Sequence, residues 1–243
     1  MHWIFLSPHP DDVALSCGGL ISEMLVHGHT AEVWTICCGD IPPGRLTPVA
    51  KELHTRWGFS RNAPALRREE DRKSLAVLGI PVTQFAIPDC IYRRDLITGK
   101  PLIKIMSDLF APFPASEESR VDDLSVLMKG MLSEFAQLVS PYGYGNHLDH
   151  ILVRKAAEKL TGSQTWYYAD YPYTLLGGEQ ESPETTETLT FPIGNEALVK
   201  WQQSIAEHQS QISTFWGSVD EMKRRIKQYR NKGGGDRIWR LKS

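Results

Sequence analysis

The first forty residues place the tightest limit on what this chain can fold into. Residues 2–7, HWIFLS, are a short apolar run. Residues 16–28, SCGGLISEMLVHG, put Leu20, Met24 and Leu25 on one helical face and stop at Gly28. Residues 31–39, AEVWTICCG, are β-branched and apolar. Strand, helix and strand in so short a span make a βαβ unit, which demands a parallel sheet and a right-handed crossover. The first strand runs into LSPHPDD, with His9, Asp11 and Asp12 inside four positions. Adjacent carboxylates repel, and a buried charge is costly unless paired or bound to a metal. Some other part of the chain must compensate them.

Further strands are predicted over 82–87, 136–141, 165–172 and 188–193, the last at an edge because Pro192 lacks a donor. Helices are predicted over 65–79, 121–135, 148–160, 195–215 with Asn195 as N-cap, and 218–230. Residues 40–64, with a short helix over 49–57, and Pro-rich residues 88–120 read as excursions that wall a pocket. The expected architecture is a Rossmann-like three-layer α/β/α fold whose sheet is mainly parallel with an antiparallel edge. One domain is expected over 1–243, with a core of roughly 1–170 and a strand–helix extension over 171–243.

Composition narrows the function classes. Hydrophobic residues make up 41% and charged residues 23% of 243, enough for a real core. Net charge is −2 with both signs scattered, so no nucleic-acid stripe or polybasic membrane patch is present. No run approaches the ~20 apolar residues of a spanning helix, and MHWIFLS does not read as a secretion signal. Cys17, Cys37, Cys38 and Cys90 form no C-x-x-C and read as buried free thiols of a cytoplasmic protein. The expected partner is a small molecule, with no nucleic acid and no membrane insertion; a homo-oligomer stays open.

A second motif, HLDH at 147–150, opens the helix after the fourth strand. Doubly wound sheets bind ligands at the carboxyl ends of their strands, where strand order reverses. With strands one and four adjacent there, the two motifs meet. His9, Asp12 and His150 would then make a site of two imidazoles and one carboxylate with a position left for water, the pattern of catalytic zinc. Fe²⁺ or another divalent ion suits the same donors. Asp11 is left over as a general base. His147, one helical turn before His150, is placed to polarise a carbonyl or protonate a leaving group, and Asp149 to hold its tautomer. In the plainer reading, the aspartates cap the first helix and the histidines are exposed. A non-haem iron oxygenase would share the donors but has no use for Asp11 and His147. A metal-dependent phosphoesterase would want a second metal and cationic groups. A non-catalytic binding protein leaves the proton-transfer residues unexplained. Arg67 pairs most simply with Glu70 or Asp71 on its own helix, Tyr171 and Tyr173 read as packing, and Gly18-Gly19 permits close helix–sheet approach.

Together these segments resemble the PIG-L/LmbE-like family of zinc-dependent de-N-acetylases. PHPDD…GG and H-x-D-H carry the resemblance, with LRREEDRKSLAVLG similar to the family's R-x-x-E…LG helix at Arg67, Glu70 and Gly79. IPDC resembles its P-D-G turn, Asp89 matching and Cys90 standing for Gly, and HQSQI (208–212) resembles its H-x-S-Q segment. The resemblance implies hydrolysis of the N-acetyl group of an N-acetylglucosamine-type sugar or glycoconjugate; deacylation of another N-acyl small molecule is the alternative. It implies zinc on His9, Asp12 and His150, Asp11 as base, His147 as acid or electrostatic partner, and Arg67 and Asp89 as sugar contacts. Some members place a tyrosine two residues before the H-x-D-H motif; here Gly145 stands there and Tyr144, one residue earlier, is the candidate.

Overall fold

A computed structural model describes residues 1–59, 62–175 and 184–242. Strands β1 (His2–Ser7), β2 (Thr30–Thr35), β3 (Val82–Gln84), β4 (Ala136–Pro141), β5 (Trp166–Tyr168), β6 (Thr185–Thr190) and β7 (Arg237–Leu241) form one sheet in the order β3-β2-β1-β4-β5-β7-β6. The first five are parallel, and β7 runs antiparallel between β5 and β6. Strand order therefore reverses between β1 and β4, whose register pairs Ile4 with Leu138.

The helices are α1 (Asp12–Val26), α2 (Pro48–Arg56), α3 (Ala63–Leu78), α4 (Glu118–Met131), α5 (Leu148–Thr161), α6 (Asn195–Ala206), α7 (Gln209–Phe215) and α8 (Val219–Asn231). Side chains of a strand alternate between faces, so β1 serves two cores. Trp3 and Phe5 pack with Val13, Leu20 and Leu75 of α1 and α3, while Ile4 and Leu6 pack with Leu124 and Leu152 of α4 and α5. Trp201 of α6, fully buried, and Met222 and Ile226 of α8 form a further cluster with Leu15 of α1. The Gly18-Gly19 pair serves α6 rather than the sheet. A Cβ on Gly18 would lie 2.5 Å from Trp201 Cδ1, and one on Gly19 2.8 Å from Trp201 Cε3.

Several element boundaries differ from the sequence expectation, each for a tertiary reason. Helix α1 begins at Asp12, not residue 16, because Ser7 Oγ, from the preceding strand, accepts the Val13 N–H at 3.1 Å. The expected helix over 195–215 is two helices parted at His208. Glu70 of α3 accepts both the N–H (2.9 Å) and the hydroxyl (2.6 Å) of Ser210, supplying the cap of α7 from elsewhere in the chain. Asn195 lies inside α6, and Gly194 is the N-cap residue, its N–H donated to Glu23 at 2.7 Å. The edge strand is β6 at 185–190 rather than 188–193, and RIWRL at 237–241 adds a further strand, β7. The excursion over 40–64 contains α2 and the start of α3; its residues 60–61 lie outside the described residues.

Candidate metal centre and its cavity

The two motifs meet at the carboxyl ends of β1 and β4. Asp12 Oδ2 lies 3.2 Å from His9 Nδ1 and 3.3 Å from His150 Nε2. His150 Nε2 is buried without a hydrogen-bond partner. An orphaned imidazole nitrogen beside a carboxylate oxygen and a second imidazole fits a divalent ion with ligands near 2.0–2.2 Å. These three side chains could hold one. The rings of His9, His147 and His150 also bring nitrogens within 4.8 Å of one another.

Each candidate ligand histidine is braced through its other nitrogen. His9 Nε2 meets Asp149 Oδ2 at 2.9 Å, and His150 Nδ1 meets Asp170 Oδ1 at 2.6 Å. Such carboxylates fix ring orientation and tautomer. The Asp149 carboxylate therefore holds His9; His147 meets Asp149 only through the backbone N–H, not through the carboxylate as the sequence suggested. The carboxylate is itself pinned by the Cys90 N–H at 2.9 Å and by Arg93 Nη1 at 2.6 Å. Arg93 bridges on to Glu117 at 2.9 Å, and the three side chains are buried. Cys90 opens a single turn after Asp89 without a positive φ, so this position has no need of glycine. Burial and the Asp149 charge push its thiol well above the usual range, leaving it a neutral core group.

Asp11, the N-cap residue just before α1, has φ 151°, a conformation rare outside glycine. Its Oδ1 accepts Arg67 Nη2 at 3.2 Å. Burial lifts the Asp11 carboxyl to about 7, against the pull of Arg67 and with the push of Asp12. Arg67 is only 7% exposed, so it is no surface pair on its own helix. Its second nitrogen lies 3.8 Å from Asp89 Oδ2, and its guanidinium stacks 4.6 Å from the Trp57 ring centroid. Asp89 Oδ1 accepts the Ile91 N–H, which aims Oδ2 at Arg67 and His9.

His147 caps α5: its Nδ1 accepts the Asp149 N–H at 3.3 Å. Burial and the neighbouring imidazoles hold it well below the ordinary histidine range. A neutral ring accepting at Nδ1 must carry its proton on Nε2, and His147 lines the cavity.

Tyr144 is not in this cavity. Gly143 and Gly145 flank it at φ 89° and 81°, its N–H goes to Asp170, and its ring packs 4.9 Å from Tyr142. Tyr173 fills the space in front of Gly145, with a ring carbon 2.9 Å from where a Cβ would sit, and faces His150 at 5.3 Å between centroids. Asp170 and Arg93 escape a reading of the sequence, and Tyr173, read there as packing, lines the cavity. Asp170 alone leaves a signal, as a carboxylate just past an apolar strand on the edge where the other motifs lie.

A doubly wound α/β sheet with histidine and carboxylate donors at its switch point defines a class of metal-site α/β proteins. Within it, the chain belongs to the PIG-L family, described as GlcNAc-PI de-N-acetylase, whose profile matches residues 4–161. A 2'-N-acetylparomamine deacetylase of Niallia circulans is 29% identical over 70% of this chain and 67% of its own length. One of Streptomyces fradiae is 24% identical over 76% of this chain; the match spans only 61% of that relative's length. A crystal structure of the zinc-inhibited form of teicoplanin deacetylase superposes with a TM-score of 0.82 at 25% identity, covering 99% of this chain and 97% of that one. N,N'-diacetylchitobiose deacetylase from Pyrococcus horikoshii shares the fold, with a TM-score of 0.56 at 17% identity, over 97% of this chain and 81% of that one.

Proposed function

We propose that this chain is a metal-dependent amidohydrolase that removes the acetyl group from an N-acetylated amino sugar. The observation that carries this is the meeting of His9, Asp12 and His150 at the floor of a pocket that Asp11 and His147 also line. His9 Nδ1, Asp12 and His150 Nε2 would hold zinc, which when bound supplies Lewis-acid polarisation of the amide and an acidified water. Asp11, held beside the candidate ligands by Arg67, accepts a proton from the attacking water and later returns one to the departing nitrogen. His147 offers Nε2–H to the carbonyl oxygen as charge develops there. A neutral ring serves as that donor without surrendering a proton, so the amine is protonated through Asp11. The C–N bond breaks, giving acetate and a free amine. Arg67 and Asp89 flank the base and would orient the sugar. Four buried free cysteines support a reducing compartment such as the cytoplasm. No helix among the described residues is long and apolar enough to cross a membrane.

The test is acetate release from a panel of N-acetylglucosamine derivatives, with and without a chelator. Acetate and free amine in equal amounts, lost on chelation and restored by added zinc, is the expected result. Phosphate release from sugar phosphates without acetate from any amide would overturn it.

A further inference from the structure

Ile91 lines the cavity of the candidate metal centre and also a second cavity, of about 270 Å³. Among the described residues the two share no other side chain. The walls of the second are the two excursions, residues 41–47 and 88–101, closed by Arg120 of α4. Its volume suits a small ligand rather than a drug-sized one.

Four arginines line it, Arg45, Arg93, Arg94 and Arg120, and no carboxylate among the described residues does. Arg93 and Arg120 share one oxygen of the buried Glu117, at 2.9 and 3.2 Å, and Arg93 also meets Asp149. Arg93 is only 3% exposed, yet its Nε has no hydrogen-bond partner. Arg94 donates to the Gly99 carbonyl at 3.0 Å, and neither it nor Arg45 meets a carboxylate among the described residues. Asp95, next to Arg94 in sequence, spends its oxygens on the N–H groups of Ile97 and Thr98 and on the Ser116 hydroxyl. Cations gathered around one cavity repel each other and focus a positive potential into it. Planar guanidiniums match the oxygens of a phosphate in pairs. A phosphate monoester carries close to two negative charges at neutral pH, one for each arginine that lacks a carboxylate. A carboxylate ligand brings one. Leu46, Leu96 and Tyr92 on the same walls offer apolar surface to the organic part of an ester.

We infer that this cavity is a second ligand site, separate from the candidate metal centre, and that it takes a phosphate monoester of a small organic molecule. The inference does not depend on the deacetylase reading. The experiment titrates the zinc-loaded full chain by calorimetry with phenyl phosphate, inorganic phosphate and benzoate. Phenyl phosphate is expected to bind tightest. Arg45→Gln and Arg94→Gln, both at exposed side chains, should each weaken it roughly tenfold, the worth of one hydrogen bond to a charged group. Lys227→Gln, on the exposed face of α8, removes the same charge elsewhere and should leave binding as in the wild type. Melting curves verify that each variant is folded, and either arginine variant alone decides the matter. Binding indifferent to the arginine substitutions, or absent at millimolar phenyl phosphate, would overturn the site. Benzoate or inorganic phosphate binding as tightly as phenyl phosphate would overturn the ligand class.

Discussion

Asp11 concentrates the chemistry at the scale of the residue. Its backbone sits where side chains rarely go, and such strain persists only where the surroundings over-determine it. Here Arg67 grips the carboxylate and α1 starts at the next residue. An amide at this position keeps the shape and cannot take a proton. Asp11→Asn is therefore expected to lose roughly 10²–10⁴-fold in kcat, with metal content by elemental analysis unchanged; a near wild-type rate would remove Asp11 as the base. Asp71 tests burial apart from catalysis. Burial lifts its carboxyl to about 6, although Gln84 and Thr35 donate to it. Its ordinary value is 3.8, so the ionised form costs the fold above pH 6, and the cost disappears as pH falls toward 3.8. Asp71→Asn keeps one oxygen for both donors and removes the charge. It should stabilise the protein by up to about 3 kcal/mol at neutral to alkaline pH, and melting curves should converge with the wild type at acid pH. A gap independent of pH would refute the assignment.

Elements meet in this protein through buried polar contacts from distant parts of the chain. Arg93, from the segment after β3, ties the α5 residue Asp149 to Glu117 at the start of α4, and Asp149 in turn orients His9 after β1. Arg93→Met leaves the buried Asp149 without its guanidinium and Glu117 with Arg120 alone, a loss of about 3–5 kcal/mol. It should also weaken metal binding roughly 10–100-fold, as lost bracing carboxylates do. Chelator competition on folded protein measures the second effect, and Arg93→Lys should recover part of it. Unchanged metal affinity in a folded Arg93→Met protein would break the link to His9. The same kind of contact explains the split helix. Residues 195–215 carry one amphipathic pattern, and only the arrival of Glu70 at Ser210 starts a new helix there. A cap brought in from α3 leaves no local trace.

Across the whole molecule, the last strand closes the sheet. β7 separates β5 from β6, with Ile238 fully buried and Trp239 nearly so. A chain ending at residue 236 would expose the edge of β5 and leave β6 without its partner, a template for aggregation. It should lose cooperative thermal unfolding, and a sharp transition within a few degrees of the full chain would contradict this. The sequence alone settled the βαβ start, the parallel sheet and the pair of motifs, because hydrophobic period and residue chemistry are local signals. It also named His9, Asp12 and His150, because strand order in a doubly wound sheet makes one meeting point for them. Only the tertiary structure decided that the Asp149 carboxylate meets His9, that Asp170 and Arg93 stand behind the candidate donors, and that Tyr173, not Tyr144, lines the cavity. Those pairings depend on distances between segments far apart in the chain, which no local pattern encodes.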